Sequence, residues 1–153
     1  MNLIEALASQ PRAFEGRGQN HEGQSFAGRL EIEALVGGKA LMLRYVAKGE
    51  HGEVFHTEAT LLAVGQDGNL CLCPVMEELP FLLPHPQVSC VEGQTGSLVA
   101  VFASGPRGDA EHFREEITVE LKANSELVYS HAWGMPGGSF EARSSRALFP
   151  AVA

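Results

Sequence analysis

The sequence lacks any long hydrophobic run. No window of about 18 consecutive apolar residues occurs along its 153 residues, so it contains no candidate transmembrane helix. The first twelve residues, MNLIEALASQPR, carry no basic segment, and Glu5 interrupts their short apolar run. They do not have the pattern of a signal peptide, and we expect no membrane partner.

Cysteine is scarce as well. Cys71, Cys73 and Cys90 make an odd count, and the first two are separated by one residue, which argues against a disulfide framework. We therefore expect a protein of the reducing cytoplasm. The Cys-x-Cys spacing is not that of a structural zinc site, and no matching histidine pair follows it. We predict that these cysteines are small buried apolar residues and that the protein binds no metal.

Basic residues are few. The chain has 11 Lys and Arg against 19 Asp and Glu, for a formal charge of −8. The cations are scattered along the sequence, and a phosphate backbone would be repelled, so we expect no nucleic-acid partner. A hydrophobic fraction of 44% with 20% charged residues predicts one globular domain over residues 1–153.

Catalytic signatures are also missing. The sequence has no nucleophile elbow, phosphate-binding loop or zinc-protease helix. Gly16-Arg17-Gly18 lacks the third glycine and the following helix of a dinucleotide site. The sequence therefore favours a binding protein over an enzyme, and it predicts no cofactor.

The pattern that is present is a period of two, typical of half-buried strands. It is clearest from Gly37 to Val75, where we predict three antiparallel strands with turns at residues 48–52 and 66–69. Similar runs follow as far as a final strand over Ser139–Phe149. A helix precedes them over Asn2–Ser9, because Asn2 and Glu5 fit a capping box. The glycine-rich segment Phe14–Phe26 predicts an irregular or sharply bent first strand.

About ten strands joined by short turns predict antiparallel neighbours. An open sheet of this size would leave two long edges, which closure removes. We predict an all-β fold, an up-and-down antiparallel barrel of about ten strands with a short N-terminal helix; a two-sheet sandwich is the alternative. Four prolines make Pro74–Pro86 a covering loop in this scheme, with Phe81 on a lid or a plug.

The strand order resembles that of the calycin group, which includes lipocalins, fatty-acid-binding proteins and haem-binding nitrobindins. The opening Phe14-Glu15-Gly16-Arg17-Gly18 is similar to the Gly-x-Trp and Gly-x-Gly-x-Gly openings of these families, with Arg17 at the position of the lipocalin tryptophan. The resemblance covers nearly the whole chain. It implies a ligand pocket, and the nitrobindin likeness implies a haem-ligating histidine near the last strands, for which His131 is the candidate.

Tyr129, His131 and Trp133 share one face of the penultimate strand. A row of large side chains with polar tips suits the wall of a ligand cavity, although it also suits ordinary barrel packing. Tyr45 is in phase with Leu41 and Leu43, so we predict that it is an interior polar group. With Phe81, these residues form the predicted ligand-binding set.

His56 and Glu58 are neighbours on one face of their strand and form an alternative site, because a carboxylate can orient an imidazole for binding or base catalysis. The other face of that strand is more apolar, so we expect His56 and Glu58 to lie on the solvated outside. Arg44 would bind a carboxylate from inside the barrel, but a solvated arginine is favoured. The apolar face consists of Phe55, Ala59, Leu61 and Ala63.

Taken together, these features predict a barrel whose cavity binds a small hydrophobic or amphipathic molecule, such as a fatty acid. Three alternatives remain open: a haem-binding nitrobindin-like protein, a small barrel enzyme with a His/Glu pair, and a module that forms a homodimer through an exposed sheet face.

Overall fold

The computed structural model describes residues 1–20 and 22–152. Within them one α-helix precedes ten strands, and a short 3-10 helix over Val36–Gly38 joins the second strand to the third. The strands close into an antiparallel barrel in which each strand pairs with its neighbours in sequence, and the last pairs with the first. The predicted all-β barrel is therefore confirmed. The elements are α1 (Leu3–Ala8), β1 (Ala13–Gln19), β2 (Ser25–Leu35), β3 (Ala40–Gly49), β4 (Val54–Val64), β5 (Leu70–Met76), β6 (His85–Glu92), β7 (Leu98–Ala103), β8 (Arg114–Leu121), β9 (Leu127–Gly134) and β10 (Glu141–Pro150).

Helix α1 begins with the predicted capping box. The Asn2 side chain accepts a hydrogen bond from the Glu5 amide at 2.9 Å, and the Glu5 carboxylate accepts one from the Asn2 amide at 3.1 Å. Six residues cannot hold a helix alone, so it depends on tertiary packing. Leu3 and Leu7 are fully buried in the core, and the helix contacts β2 and β3. The helix packs at the end of the barrel where β2 connects to β3 (residues 36–39), which we call the helix end. The opposite end, where β3 connects to β4 (residues 50–53), we call the loop end. No helix among the described residues is long and apolar enough to cross a membrane.

The barrel consists of two five-strand meanders, β1–β5 and β6–β10, that meet at two short seams. The β1–β10 seam has two residue pairs, and so does the β5–β6 seam, whereas every other pair of neighbouring strands shares at least five. Because ladder hydrogen bonds are few at these positions, the wall of the barrel is open or covered by other groups there. The seam pairs are Phe14 with Pro150, Glu15 with Phe149, Cys71 with Pro86 and Leu72 with His85.

The interior is apolar near the helix end and polar near the loop end. Leucine, isoleucine, valine and phenylalanine from nearly every strand form the apolar core. The buried charged and imidazole side chains lie on the loop-end halves of their strands: Glu58, His85, Arg114, Glu115 and His131. This division places the chemistry of the molecule at the loop end.

The orientation predicted for β4 is wrong. Glu58 is 8% exposed and Thr60 is 1% exposed, while Leu61 on the other face is 36% exposed. The fully buried Leu62 has the same parity as His56, Glu58 and Thr60, so all four face inward. The prediction failed because the interior at the loop end is polar, whereas the outer face of β4 is apolar.

The proline-rich segment is also shorter than predicted. Pro74 lies within β5 and Pro86 within β6, which limits the loop to residues 77–84. Proline is tolerated where a strand has few ladder partners, and β5 and β6 share only two residue pairs. The segment Phe14–Phe26, predicted as one irregular or sharply bent strand, divides between β1 and the start of β2, which pair without a shift of register; His21 of that segment lies outside the described residues.

The three cysteines are only partly buried, contrary to prediction. Cys71 and Cys73 alternate with the buried Leu70 and Leu72, so they face outward, and their Sγ atoms are 3.9 Å apart. Burial raises the pKa of the Cys71 thiol to about 11, with a contribution from Cys73 beside it. Cys90 packs against the apolar core.

Candidate functional site

Seven polar side chains form a continuous hydrogen-bonded chain across the loop end, which we call the polar chain. Its centre is a contact between the two meanders: Arg146 Nη1 on β10 donates to Glu58 Oε1 on β4 at 3.2 Å. The guanidinium carbon lies 4.1 Å from the centroid of the Tyr45 ring and 5.7 Å from that of Tyr129, both within cation–π range. In order, the members of the polar chain are His85, Glu115, His131, Arg146, Glu58, His56 and Glu78.

One arm of the polar chain runs from Arg146 to His85. Arg146 Nη2 lies 3.4 Å from His131 Nε2, and because a guanidinium has no acceptor, that nitrogen accepts. His131 Nδ1 then donates to Glu115 Oε2 at 3.3 Å, and His85 Nε2 lies 2.9 Å from Glu115 Oε1. Burial alone would raise the pKa of Glu115, but the hydrogen bonds from both histidines outweigh it and lower the pKa to about 2.

The other arm runs from Glu58 to the protein surface. His56 lies between two carboxylates, with Nε2 3.2 Å from Glu58 Oε2 and Nδ1 3.3 Å from Glu78 Oε1. The hydrogen bond with Glu58 is the main reason that the pKa of His56 is raised. Burial opposes ionisation of Glu58, but His56 and the charge of Arg146 lower its pKa nevertheless. The enzyme alternative requires His56 and Glu58 to face inward, as they do, and it stays a prediction.

The predicted central cavity is wrong: side chains of the described residues fill the centre of the barrel. A void of about 10 Å³, about the size of one water molecule, lies among Tyr45, Glu58, Tyr129 and Arg146. Thr60 also borders it, and the Thr60 hydroxyl is buried without a hydrogen-bond partner. Burial raises the pKa of both tyrosines, so they stay neutral.

A groove of about 1120 Å³ follows the β1–β10 seam. Its lining combines residues of both faces of the wall, so the groove passes from the surface toward the interior. The inward-facing part includes Tyr45, Arg146 and Leu148, which also border the small void. Position 28 beside Tyr45 requires a glycine, because the Cβ of any other residue would overlap the Tyr45 hydroxyl.

The groove is rich in cations although the protein is acidic. Its lining includes five of the 11 Lys and Arg residues but only two carboxylates. Arg29 pairs with both of those carboxylates, at 2.7 and 3.1 Å, and Arg44 pairs with Glu33 at 3.3 Å. The charged residues of the lining are Glu15, Arg17, Arg29, Glu31, Arg44, Lys48 and Arg146.

Three predicted ligand-binding residues lie together around Arg146. Tyr45 and Tyr129 pack against Arg146, and His131 belongs to the polar chain with both of its ring nitrogens engaged. The haem alternative therefore requires His131 to give up one of these contacts, and it stays a prediction.

The other predicted residues lie apart from this centre. Trp133 is half-buried near the end of β9 with the Arg143 guanidinium 5.7 Å from its ring centroid. Phe81 is 57% exposed on the 77–84 loop. Arg44 is solvated on the outer face, as predicted, where it lines the rim of the groove.

Sequence reasoning missed four members of the polar chain: His85, Glu115, Arg146 and Glu78. Two of them carried a usable signal. Glu115 has the parity of the buried Ile117, and Arg146 has the parity of the buried Leu148. His85 and Glu78 lie in or beside the proline-rich segment, where alternation gives no signal.

The fold and the polar chain define a closed ten-stranded antiparallel barrel with a charged interior at one end. No family model matches the sequence, and no curated protein matches it. Among solved structures, the chain is similar to the crystal structure of Rv2717c from M. tuberculosis, with a TM-score of 0.73, 15% identity and coverage of 97% of both chains. At this identity the likeness shows the fold alone, and the relation to calycins stays a prediction.

Proposed function

We propose that the protein binds a small amphipathic molecule in the groove of the β1–β10 seam, with the polar head of the ligand at Arg146. The observation that carries this proposal is the route of the groove. It begins at the surface, passes three glycines of β1 and β2, and reaches Tyr45 and Arg146, which border the void beside the unpartnered Thr60 hydroxyl.

The inner end of the groove suits a polar head. The contacts of Arg146 with Glu58 and His131 use two of the five N–H groups that a guanidinium carries. The Thr60 hydroxyl acts on Tyr129 but makes no hydrogen bond of regular geometry, so it is available to a head group that reaches the small void. Both features favour a head that accepts hydrogen bonds, such as a carboxylate or a hydroxyl.

The rest of the groove suits an apolar body. Phe26, Leu148 and the faces of Gly16, Gly18 and Gly28 offer apolar surface along its length. The volume of about 1120 Å³ slightly exceeds the roughly 300–1,000 Å³ that is common for small-molecule sites. We assign the apolar body of the ligand to this groove because the centre of the barrel has space for little more than one water molecule.

Titration with dodecanoate and with dodecanol tests the proposal, with displacement of anilinonaphthalene sulfonate as the signal and native mass spectrometry as the measure of stoichiometry. We expect saturable binding of one molecule per chain for both compounds. The absence of saturable binding for either compound would contradict the proposal.

A further inference from the structure

The loop of residues 77–84 covers the β5–β6 seam, on the side of the barrel opposite the groove. Beyond Leu72, β5 has no ladder partner in β6, and the chain leaves β5 at Met76 and returns at His85. Leu79 of the loop is 7% exposed and bridges back to Met76. The loop therefore closes the wall at a position where strand pairing does not.

Two histidines of the polar chain bind this loop. The Glu78 carboxylate lies 3.3 Å from His56 Nδ1, and the Leu83 carbonyl lies 2.6 Å from His85 Nδ1. The second nitrogen of each ring contacts a buried carboxylate, Glu58 for His56 and Glu115 for His85. The loop is thus attached to the buried chain at both of its ends.

The contact with His56 depends on the charge of that ring. Two ionised carboxylates accept but do not donate, so only the doubly protonated ring satisfies Glu58 and Glu78 together. A neutral ring presents a lone pair to one of them. Water can replace the ring most easily at the more exposed carboxylate. That carboxylate is Glu78, whose side chain is 64% exposed against 5% for Glu58.

The other charged and aromatic groups around His56 are few. Tyr45 on β3 lies with its ring centroid 6.2 Å from that of His56, and Arg146 on β10 opposes its protonation. The hydrogen bond with Glu58 outweighs burial and raises the pKa of His56 above its ordinary value. The ring is therefore charged over a wider pH range than a free histidine, and it loses its proton as the pH rises through the raised value.

We propose that the 77–84 loop is a pH-dependent gate over the β5–β6 seam, closed while His56 is charged and bonded to Glu78, and released at its Glu78 end when the ring loses its proton, while the Leu83 end stays bonded to His85. Opening admits water to His56 and Glu58 from the side opposite the groove. The direct contacts of the gate involve no residue that lines the groove. Tyr45 and Arg146, which do line it, lie behind His56, so the gate is tested in the protein without added ligand.

Hydrogen exchange measured by mass spectrometry tests the gate, with amide protection in residues 77–84 corrected for the intrinsic exchange rate at each pH. We expect protection to fall about two- to fivefold between mildly acidic and alkaline pH, the range for one exposed ion pair. In Glu78→Gln, the amide protection of residues 77–84 should be as low at mildly acidic pH as it is at alkaline pH. Glu77→Gln is the matched control, because it makes the same charge change at an adjacent exposed residue that forms no ion pair.

The titration of the His56 ring, followed by NMR, provides a second readout. Its pKa should fall in Glu78→Gln and stay unchanged in Glu77→Gln. Equal protection in the two variants at acidic pH, or loop protection in the native protein that does not change with pH, would overturn the proposal.

Discussion

Glu58 and Arg146 meet inside the barrel at 3.2 Å although 88 positions separate them in sequence. The contact joins β4 of one meander to β10 of the other, near the seam where β1 and β10 share only two residue pairs. Their side chains are 5% and 17% exposed, so little solvent screens the pair. The two halves of the barrel are therefore connected by a buried ion pair at the level where their ladder is incomplete.

Removal of this carboxylate should destabilise the fold strongly. Glu58→Gln leaves the charges of Arg146 and His56 without their buried partner, and loss of one member of a buried pair costs about 3–5 kcal/mol. We expect a loss of that order in the free energy of unfolding by urea. Glu33→Gln, which breaks the exposed contact with Arg44, should cost less than about 1 kcal/mol. A similar small cost for both variants would contradict this role of Glu58.

The stability of the protein should fall in acid because of Glu115. Its pKa is about 2 in the folded state against an ordinary value of 4.5. The ionised carboxylate thus stabilises the fold above about pH 4.5, and this contribution, about 3 kcal/mol at most, is lost as the pH falls through the folded value.

Urea unfolding at about pH 5 and about pH 3 measures this dependence. The free energy of unfolding should drop between the two values in the native protein and much less in Glu115→Gln. Glu77→Gln, at an exposed residue, should keep the native dependence. An unchanged slope in Glu115→Gln would show that other groups account for the acid sensitivity.

A side chain added at Gly18 should block the groove. Gly18 has no positive φ, but a Cβ there would lie 2.9 Å from the tip of the Phe26 ring, so Gly18→Leu must displace that ring within the groove, and the fold of the variant is first checked by circular dichroism. We expect at least about a tenfold loss of affinity for dodecanoate, equivalent to about 1.4 kcal/mol. Gly105→Leu, at a loop position with open space around it, should bind as the native protein does. Equal affinity in the two variants would place the ligand elsewhere.

The sequence predicts the strands and turns well because alternation and glycine placement are local signals. It also predicts that Tyr45, Tyr129 and His131 face inward, because each shares its parity with buried leucines. The prediction of which face of β4 points inward is wrong, because it equates apolar character with burial. Ala59 and Leu61 lie outside, and Glu58 lies inside because partners from distant strands compensate its charge.

Those partners are the part that one sequence cannot show. Arg146 and Glu58 become neighbours only when the barrel closes, and nothing in their local pattern indicates the pairing. Parity alone would have placed Glu115 and Arg146 inside, but a charged residue on an alternating strand is usually assigned to solvent. In this barrel the rule fails at the loop end, where the polar chain supplies Glu58 and Glu115 with partners and backbone carbonyls accept the hydrogen bonds of Arg114.

The affinity of the Arg146→Met variant for dodecanoate tests the central claim most directly. Lys39→Met is the matched control, because it removes one exposed cation at the hairpin between β2 and β3, away from the groove. Both variants are first compared with the native protein by circular dichroism, and Arg146→Lys is measured as a variant that retains the charge. The account predicts that Arg146→Met loses at least about tenfold in affinity, that Arg146→Lys loses less, and that Lys39→Met binds normally. Native affinity in a folded Arg146→Met protein would contradict the account.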